Sequence, residues 1–173
     1  MTVAVRRAGV ADIAALANLR WTWRVDEGGE QPACTPEEYL DTIREWWVAH
    51  PDHVAVLAQD SDAGTAAGMA WLALGDRVPG PAGARARSAW LQSVYVCPDR
   101  RGRGSGAQIL GFVDQVARTE GCAFVAVHPS PASASLYARA GYALSPGLLE
   151  LRLDCAERSG ASQRGTSEER TDR

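Results

Sequence analysis

Apolar positions change their spacing several times along this chain, and each change marks an element. The short apolar run Val3-Ala4-Val5 predicts a strand over Val3 to Arg6. Ile13, Leu16, Ala17 and Arg20 then recur at helical spacing, with Asp12 where a helix cap belongs. Trp21 and Trp23 lead into a glycine- and acid-rich loop, DEGGEQPAC. The next start signal is stronger. Thr35 is a cap, Pro36 suits the first helical position, and Glu38 completes a capping box. Tyr39, Leu40, Ile43, Trp46 and Trp47 form the apolar face of that helix, and Pro51 ends it.

Two apolar runs follow, HVAVLAQ (53–59) and AAGMAWLAL (66–74), joined by DSDAG, and they predict an antiparallel hairpin. Residues 75–88 hold too much Gly, Pro and Arg for anything but a loop. A third strand is expected at 90–96. A helix from about Gly104 to Glu120 carries Ile109, Leu110, Val113, Val116 and Ala117 on one face. The run CAFVAVH (122–128) is apolar throughout and predicts a strand buried on both faces. Ser130 and Pro131 read as cap and first residue of a short helix that Gly141 stops, and LLELRL (148–153) as a last strand. Residues 155–173 are polar with four arginines and four acids, the composition of a disordered tail after one domain spanning 1–154.

Charge then narrows the function. The chain has 173 residues and a net charge of −3, which argues against a strongly basic nucleic-acid binder. All 18 basic residues are arginine. That excludes chemistry through a lysine Schiff base and the lysine of an ATP-type phosphate loop. No run approaches the roughly 20 apolar residues of a membrane-spanning helix, and no signal peptide is visible. The four cysteines lie apart at 34, 97, 122 and 155, without a CxxC pair, which suits reduced thiols in a cytoplasmic protein. His50 and His53 are too weak a pair to predict a metal site.

The chemistry lies in residues 90–142. The turn Arg100-Arg101-Gly102-Arg103-Gly104-Ser105-Gly106 opens directly into a helix. Glycines let successive N–H groups converge, the helix start adds partial positive charge, and arginines add full charge, so a phosphate or diphosphate is the expected guest. Gly102, Gly104 and Ala107 formally match a dinucleotide fingerprint. Their context does not: five residues separate the strand from Gly102, and His128 and Pro129 stand where an acid is expected.

Residues 90–142 resemble the GCN5-related N-acetyltransferase (GNAT) superfamily. Its acetyl-CoA signature is Arg or Gln, two residues, Gly, one residue, then Gly or Ala; Arg101, Gly104 and Gly106 match it. LYARAGY (136–142) is similar to the family's Leu-Tyr-x-x-x-Gly-Phe ending. The resemblance implies an α+β fold in α/β/α layers, with a mixed, mostly antiparallel sheet and a splay between strands 90–96 and 122–128. It implies backbone N–H groups of Arg101, Gly102, Arg103, Gly104, Ser105 and Gly106 on the CoA diphosphate. Val94, Tyr95 and Val96 would run beside the pantetheine arm, with an N–H near Val94 polarising the thioester carbonyl. Ser130 and Ser133 would contact CoA, and Tyr137 would protonate the departing thiolate. Ser130 replaces an Asn common in the family. Gln92 and Ser93 stand where many members carry a glutamate base.

Asp26 to Asp52 contains eight acids and one arginine; Arg77 to Arg103 contains six arginines and one acid. The acidic stretch is expected to draw a cationic amine, with Asp26, Glu27 or Glu30 as its anchor and Trp21 and Trp23 as walls, while the basic stretch draws CoA. The expected activity is acetyl transfer from acetyl-CoA to a primary amine of a small molecule or peptide, in a ternary complex, by a monomer or homodimer. A CoA-binding or sensor module without catalysis is the alternative, and O-acetylation stays open.

Overall fold

The computed structural model describes residues 3–81, 87–146, 148 and 150. Met1–Ala143 forms one compact unit and Leu144–Arg173 a second, and every described helix and strand belongs to the first. The expected strand at 148–153, apart from Leu148 and Glu150, and the expected tail at 155–173 lie outside the described residues.

Five strands form one sheet in chain order: β1 (Val3–Arg7), β2 (His53–Asp60), β3 (Ala66–Asp76), β4 (Arg87–Val96) and β5 (Cys122–Val127). The first four pair antiparallel, and β4 and β5 run parallel. α1 (Ile13–Trp21) and α2 (Pro36–Ala49) cover one face, while α3 (Ser105–Thr119) and α4 (Ala134–Arg139) belong to the other. This is the expected α/β/α layering.

The period-two pattern of β2 and β3 explains both cores. Val54, Val56, Ala70 and Leu72 join Ile109, Leu110 and Val113 of α3. Their neighbours Ala55, Leu57, Met69 and Trp71 join Leu16 and Leu19 of α1. It is therefore β2 and β3 that are buried on both faces. β5 is not: it is the last strand of the sheet among the described residues, and Phe124 is 50% exposed.

The capping box at α2 is present in full. Glu38 N–H donates to Thr35 Oγ1 at 3.2 Å, and Thr35 N–H donates to Glu38 Oε2 at 2.8 Å. Two other starts differ from expectation. Asp12 closes a 3₁₀ turn (Val10–Asp12) before α1, and its carboxylate accepts from Gly9 N–H and from both Arg6 Nη atoms instead of capping the helix. Ser130 begins a turn, and α4 starts only at Ala134 with Ser133 at its cap position.

α1 also continues further than the glycine-rich sequence suggests, as a π-helical stretch over Thr22–Glu27. Gly28 permits its closure, because a Cβ there would lie 2.6 Å from the Arg24 carbonyl oxygen. That extension carries Glu27 to the sheet.

Candidate functional site

β4 positions most of the site. Ala89 and Leu91 face the α3 core, and so do Val94 and Val96. The change from odd to even positions marks one extra residue, a β-bulge where the β3–β4 register jumps from Trp71↔Ser93 to Leu72↔Leu91. Gln92 and Ser93 both consequently border a cavity on the α1–α2 side.

The ladder between β4 and β5 ends at Leu91↔Val127, so Gln92–Val96 have no partner strand on that side among the described residues. This is the expected splay. Its open edge has a defined polarity. Cys97 N–H bonds Ala67 O across to β3 at 2.9 Å. By the alternation of an antiparallel ladder, Val96 and Val94 direct their N–H and C=O groups away from β3, into the splay. Arg101 Nε donates to Val96 O there, at 2.9 Å.

After β4, Pro98–Arg100 forms a 3₁₀ turn whose Arg100 reaches Asp60 Oδ2 at 2.6 Å. Asp60 is fully buried at the end of β2, and the Ala63 and Asp62 N–H groups, with Arg100, hold its carboxyl below the usual range. Gly102 and Gly104 follow with φ of 72° and 84°, conformations that side-chain-bearing residues rarely adopt. Gly104 is the residue before α3, so the turn delivers its amides to a helix start. Ser105 is buried, its hydroxyl donating to Arg100 O at 3.3 Å. Gly106 lets α3 approach α4, since a Cβ would stand 3.1 Å from Leu136 Cδ2. Arg103 is exposed.

Glu27 meets this region. Its Oε2 accepts from Arg101 Nη2 at 2.6 Å and its Oε1 from the Tyr95 hydroxyl at 2.5 Å. Both bonds favour the carboxylate and hold Glu27 below its ordinary range, while burial and that carboxylate push the Tyr95 phenol up. Arg101 lies over the Tyr95 ring, 5.6 Å from its centre. Of the other two expected acceptor residues, Glu30 pairs with Arg24 at 2.6 Å, and Asp26 is exposed.

Tyr137 is 7% exposed in the α3 core, where its ring meets Tyr142 edge-on at 5.4 Å. Burial pushes its phenol up, and its hydroxyl has no hydrogen-bond partner among the described residues. Ser130 and Ser133 share a hydroxyl contact at 3.0 Å, and Ser133 also donates to Ser130 O.

The cavity beside the bulge has a volume of about 260 Å³. Tyr39, Ile43, Trp46 and Trp71 supply its apolar wall, and Arg20 its only charge among the described residues. None of these five was expected as a site residue, although an arginine in line with Ile13, Leu16 and Ala17 on a core-facing helix stripe was a visible signal. A larger cavity of about 590 Å³ lies between α3, β5 and α4 and is bordered by none of the expected site residues. Among the described residues no cluster of His, Cys, Asp or Glu could hold a metal, and no helix is long and apolar enough to cross a membrane.

The acetyltransferase (GNAT) family model matches residues 14–142. No curated protein matches the chain. Solved structures share the fold. A predicted acetyltransferase with acetyl-CoA from Clostridium acetobutylicum is 21% identical, with a TM-score of 0.67 over 87% of this chain and 96% of that one. A probable acetyltransferase is 18% identical, with a TM-score of 0.72 over 91% and 99%. Glucosamine-6-phosphate N-acetyltransferase from Arabidopsis thaliana is 17% identical, with a TM-score of 0.67 over 89% and 100%.

Proposed function

The chain belongs to the GNAT acetyltransferase family, and from that premise we propose that it moves an acetyl group from acetyl-CoA to an amine of a small molecule or peptide, by direct attack in a ternary complex. One observation carries this reading. The open edge of β4 leads straight into a glycine turn that converges on the start of α3.

Each part fits one portion of the donor. The Arg101–Gly106 amides and the partial positive charge at the start of α3 suit a diphosphate. Val94 and Val96 offer peptide groups to an extended amide-bearing arm, in the manner of an added strand. When bound, acetyl-CoA supplies the thioester that the amine attacks. The Val94 N–H faces the splay and is the candidate donor to the thioester oxygen. Tyr137 is a phenol, protonated at neutral pH by its ordinary pKa and held further from ionising by burial, and it can pass that proton to the leaving thiolate. Ser130 and Ser133 remain candidates for a further CoA contact.

Glu27 is read here as a positioning residue: its two oxygens orient Tyr95 and Arg101 beside the donor site. Among the described residues no carboxylate or imidazole borders the bulge cavity, so on this reading the acceptor amine arrives neutral and β4 orients it. Release of free thiol from acetyl-CoA, measured across a panel of amines, tests the proposal. Saturable CoA binding without turnover on any amine would overturn it in favour of a binding module.

A further inference from the structure

Arg20 is unusual in its surroundings. It occupies the core-facing stripe of α1, half-buried, and its Nη1 donates to Ser93 Oγ at 2.6 Å on the bulge of β4. No carboxylate pairs with it among the described residues. The nearby acids are engaged elsewhere, Glu30 with Arg24 and Glu27 with Tyr95 and Arg101. Trp71 borders the same cavity at 4% exposure, and its buried Nε1–H has no acceptor among the described residues. A half-buried guanidinium without a counter-charge is costly unless something else satisfies it. An anionic acceptor of hydrogen bonds in the cavity would do so.

We propose that the bulge cavity binds the acceptor through a carboxylate on Arg20, and that the acceptor is an α-amino acid, or a molecule ending in one, with an apolar side chain. This deepens the transferase reading above and rests on it for the fate of the amine. Tyr39, Ile43, Trp46 and Trp71 give the side chain an apolar wall. A volume of about 260 Å³ is below the usual range for drug-sized ligands, which suits one amino acid. Gln92 and Ser93 border the cavity immediately before Val94, so a carboxylate on Arg20 sets its own α-amine beside the splay. The guanidinium also opposes an ammonium ion in the cavity. That favours the neutral, nucleophilic amine and disfavours polycations. The anchor is therefore opposite in sign to the acidic stretch that the linear charge pattern suggested.

The experiment uses the full chain with CoA present. Each apolar or aromatic L-amino acid, its amide, and spermidine are titrated while the tryptophan fluorescence is followed, because Trp46 and Trp71 border the cavity. At least one acid is expected to bind about tenfold or more tightly than its own amide, and spermidine more weakly than that acid. In Arg20→Gln the acid-over-amide preference should fall to near one. In Arg20→Lys, which keeps the charge and loses the fork, it should be reduced, and this variant decides if Arg20→Gln does not fold. No preference for any acid in the parent protein would overturn the proposal, as would a preference that survives in the variant. Thiol release is measured on the same panel. Selective binding of acids with no release would keep the cavity assignment and remove the transferase reading. Release with amides or spermidine as effective as with acids would keep the transferase and remove the carboxylate anchor.

Discussion

Glu27 and Arg101 stand 74 positions apart in the chain and meet at 2.6 Å, joining the π-helical end of α1 to the glycine turn. The other carboxylate oxygen holds Tyr95, so one acidic side chain ties both the strand and the turn of the proposed donor site. Glu27→Gln should raise the KM for acetyl-CoA by a few fold, no more, because the Arg101 pair is partly exposed and such pairs contribute about 1 kcal/mol or less. It should also lower the Tyr95 pKa, read by absorbance titration of the phenols. A Tyr95 that titrates unchanged would mean that burial alone holds it up.

Gly102 and Gly104 adopt left-handed backbone angles, and alanine at either should cost about 1 kcal/mol in stability. Acetyl-CoA affinity should fall about tenfold with it, measured by calorimetry. Gly106→Ala should be milder, because its Cβ meets only the flexible end of Leu136. Equal losses at all three positions would argue against a turn built around its backbone amides.

Tyr137→Phe removes a hydroxyl without a partner among the described residues, so the melting temperature should move little. The proposed proton donation predicts a fall in kcat of about a hundredfold, with the KM for acetyl-CoA nearly unchanged. Full activity in that variant would remove Tyr137 from the chemistry.

Without an acid or imidazole beside the cavity among the described residues, kcat/KM should rise with pH through the acceptor's own amine pKa. Profiles for two acceptors of different basicity check this. The inflection should follow the acceptor, whereas one fixed for both would identify a base on the protein.

Asp12 offers a separate stability test. Its carboxyl is pushed down to about 2, first by the Arg6 guanidinium and then by the Gly9 N–H. An unfolded aspartate titrates near 3.9, so the folded state gains above about pH 4 and loses that gain as pH falls through 2. Arg6 is 45% exposed, and after allowing for solvent screening the gain is about 1 kcal/mol. Asp12→Asn should be destabilised by that amount at pH 7 and by almost nothing near pH 2, read from urea midpoints.

The elements that could be read from the chain are those in which one local cause dominates. Thr35, Pro36 and Glu38 announce α2 within four residues, and period-two patterning announces β2 and β3. The glycine turn was legible because backbone freedom, arginines and a helix start coincide within seven residues. What escaped depends on partners distant in sequence. Nothing near Arg20 points to Ser93, and nothing near Glu27 points to Tyr95. The composition of residues 122–128 is that of a central strand, yet Phe124 is half exposed because burial depends on what lies beside a strand. The bulge in β4 did leave a trace, in Ala89 and Leu91 followed by Val94 and Val96, a parity change that only a register makes meaningful.

That single inserted residue also separates two tasks along one strand. Ahead of it, odd-numbered side chains fill the α3 core; beyond it, even-numbered ones do, and the peptide groups of Val94 and Val96 open toward the splay. Ser93 and Tyr95 look the opposite way, toward α1 and α2. On the proposed reading, substitutions on that second side retune acceptor choice while the backbone proposed to receive the donor stays as it is. Loss of Gln92 would set Ser93 directly after Leu91, opposite Trp71 and Leu72, so the strand would alternate regularly with Tyr95 still toward Glu27 and only the bulge removed. Loss of any one residue from Ser93 to Val96, by contrast, shifts the alternation that keeps valines and Tyr95 on opposite faces.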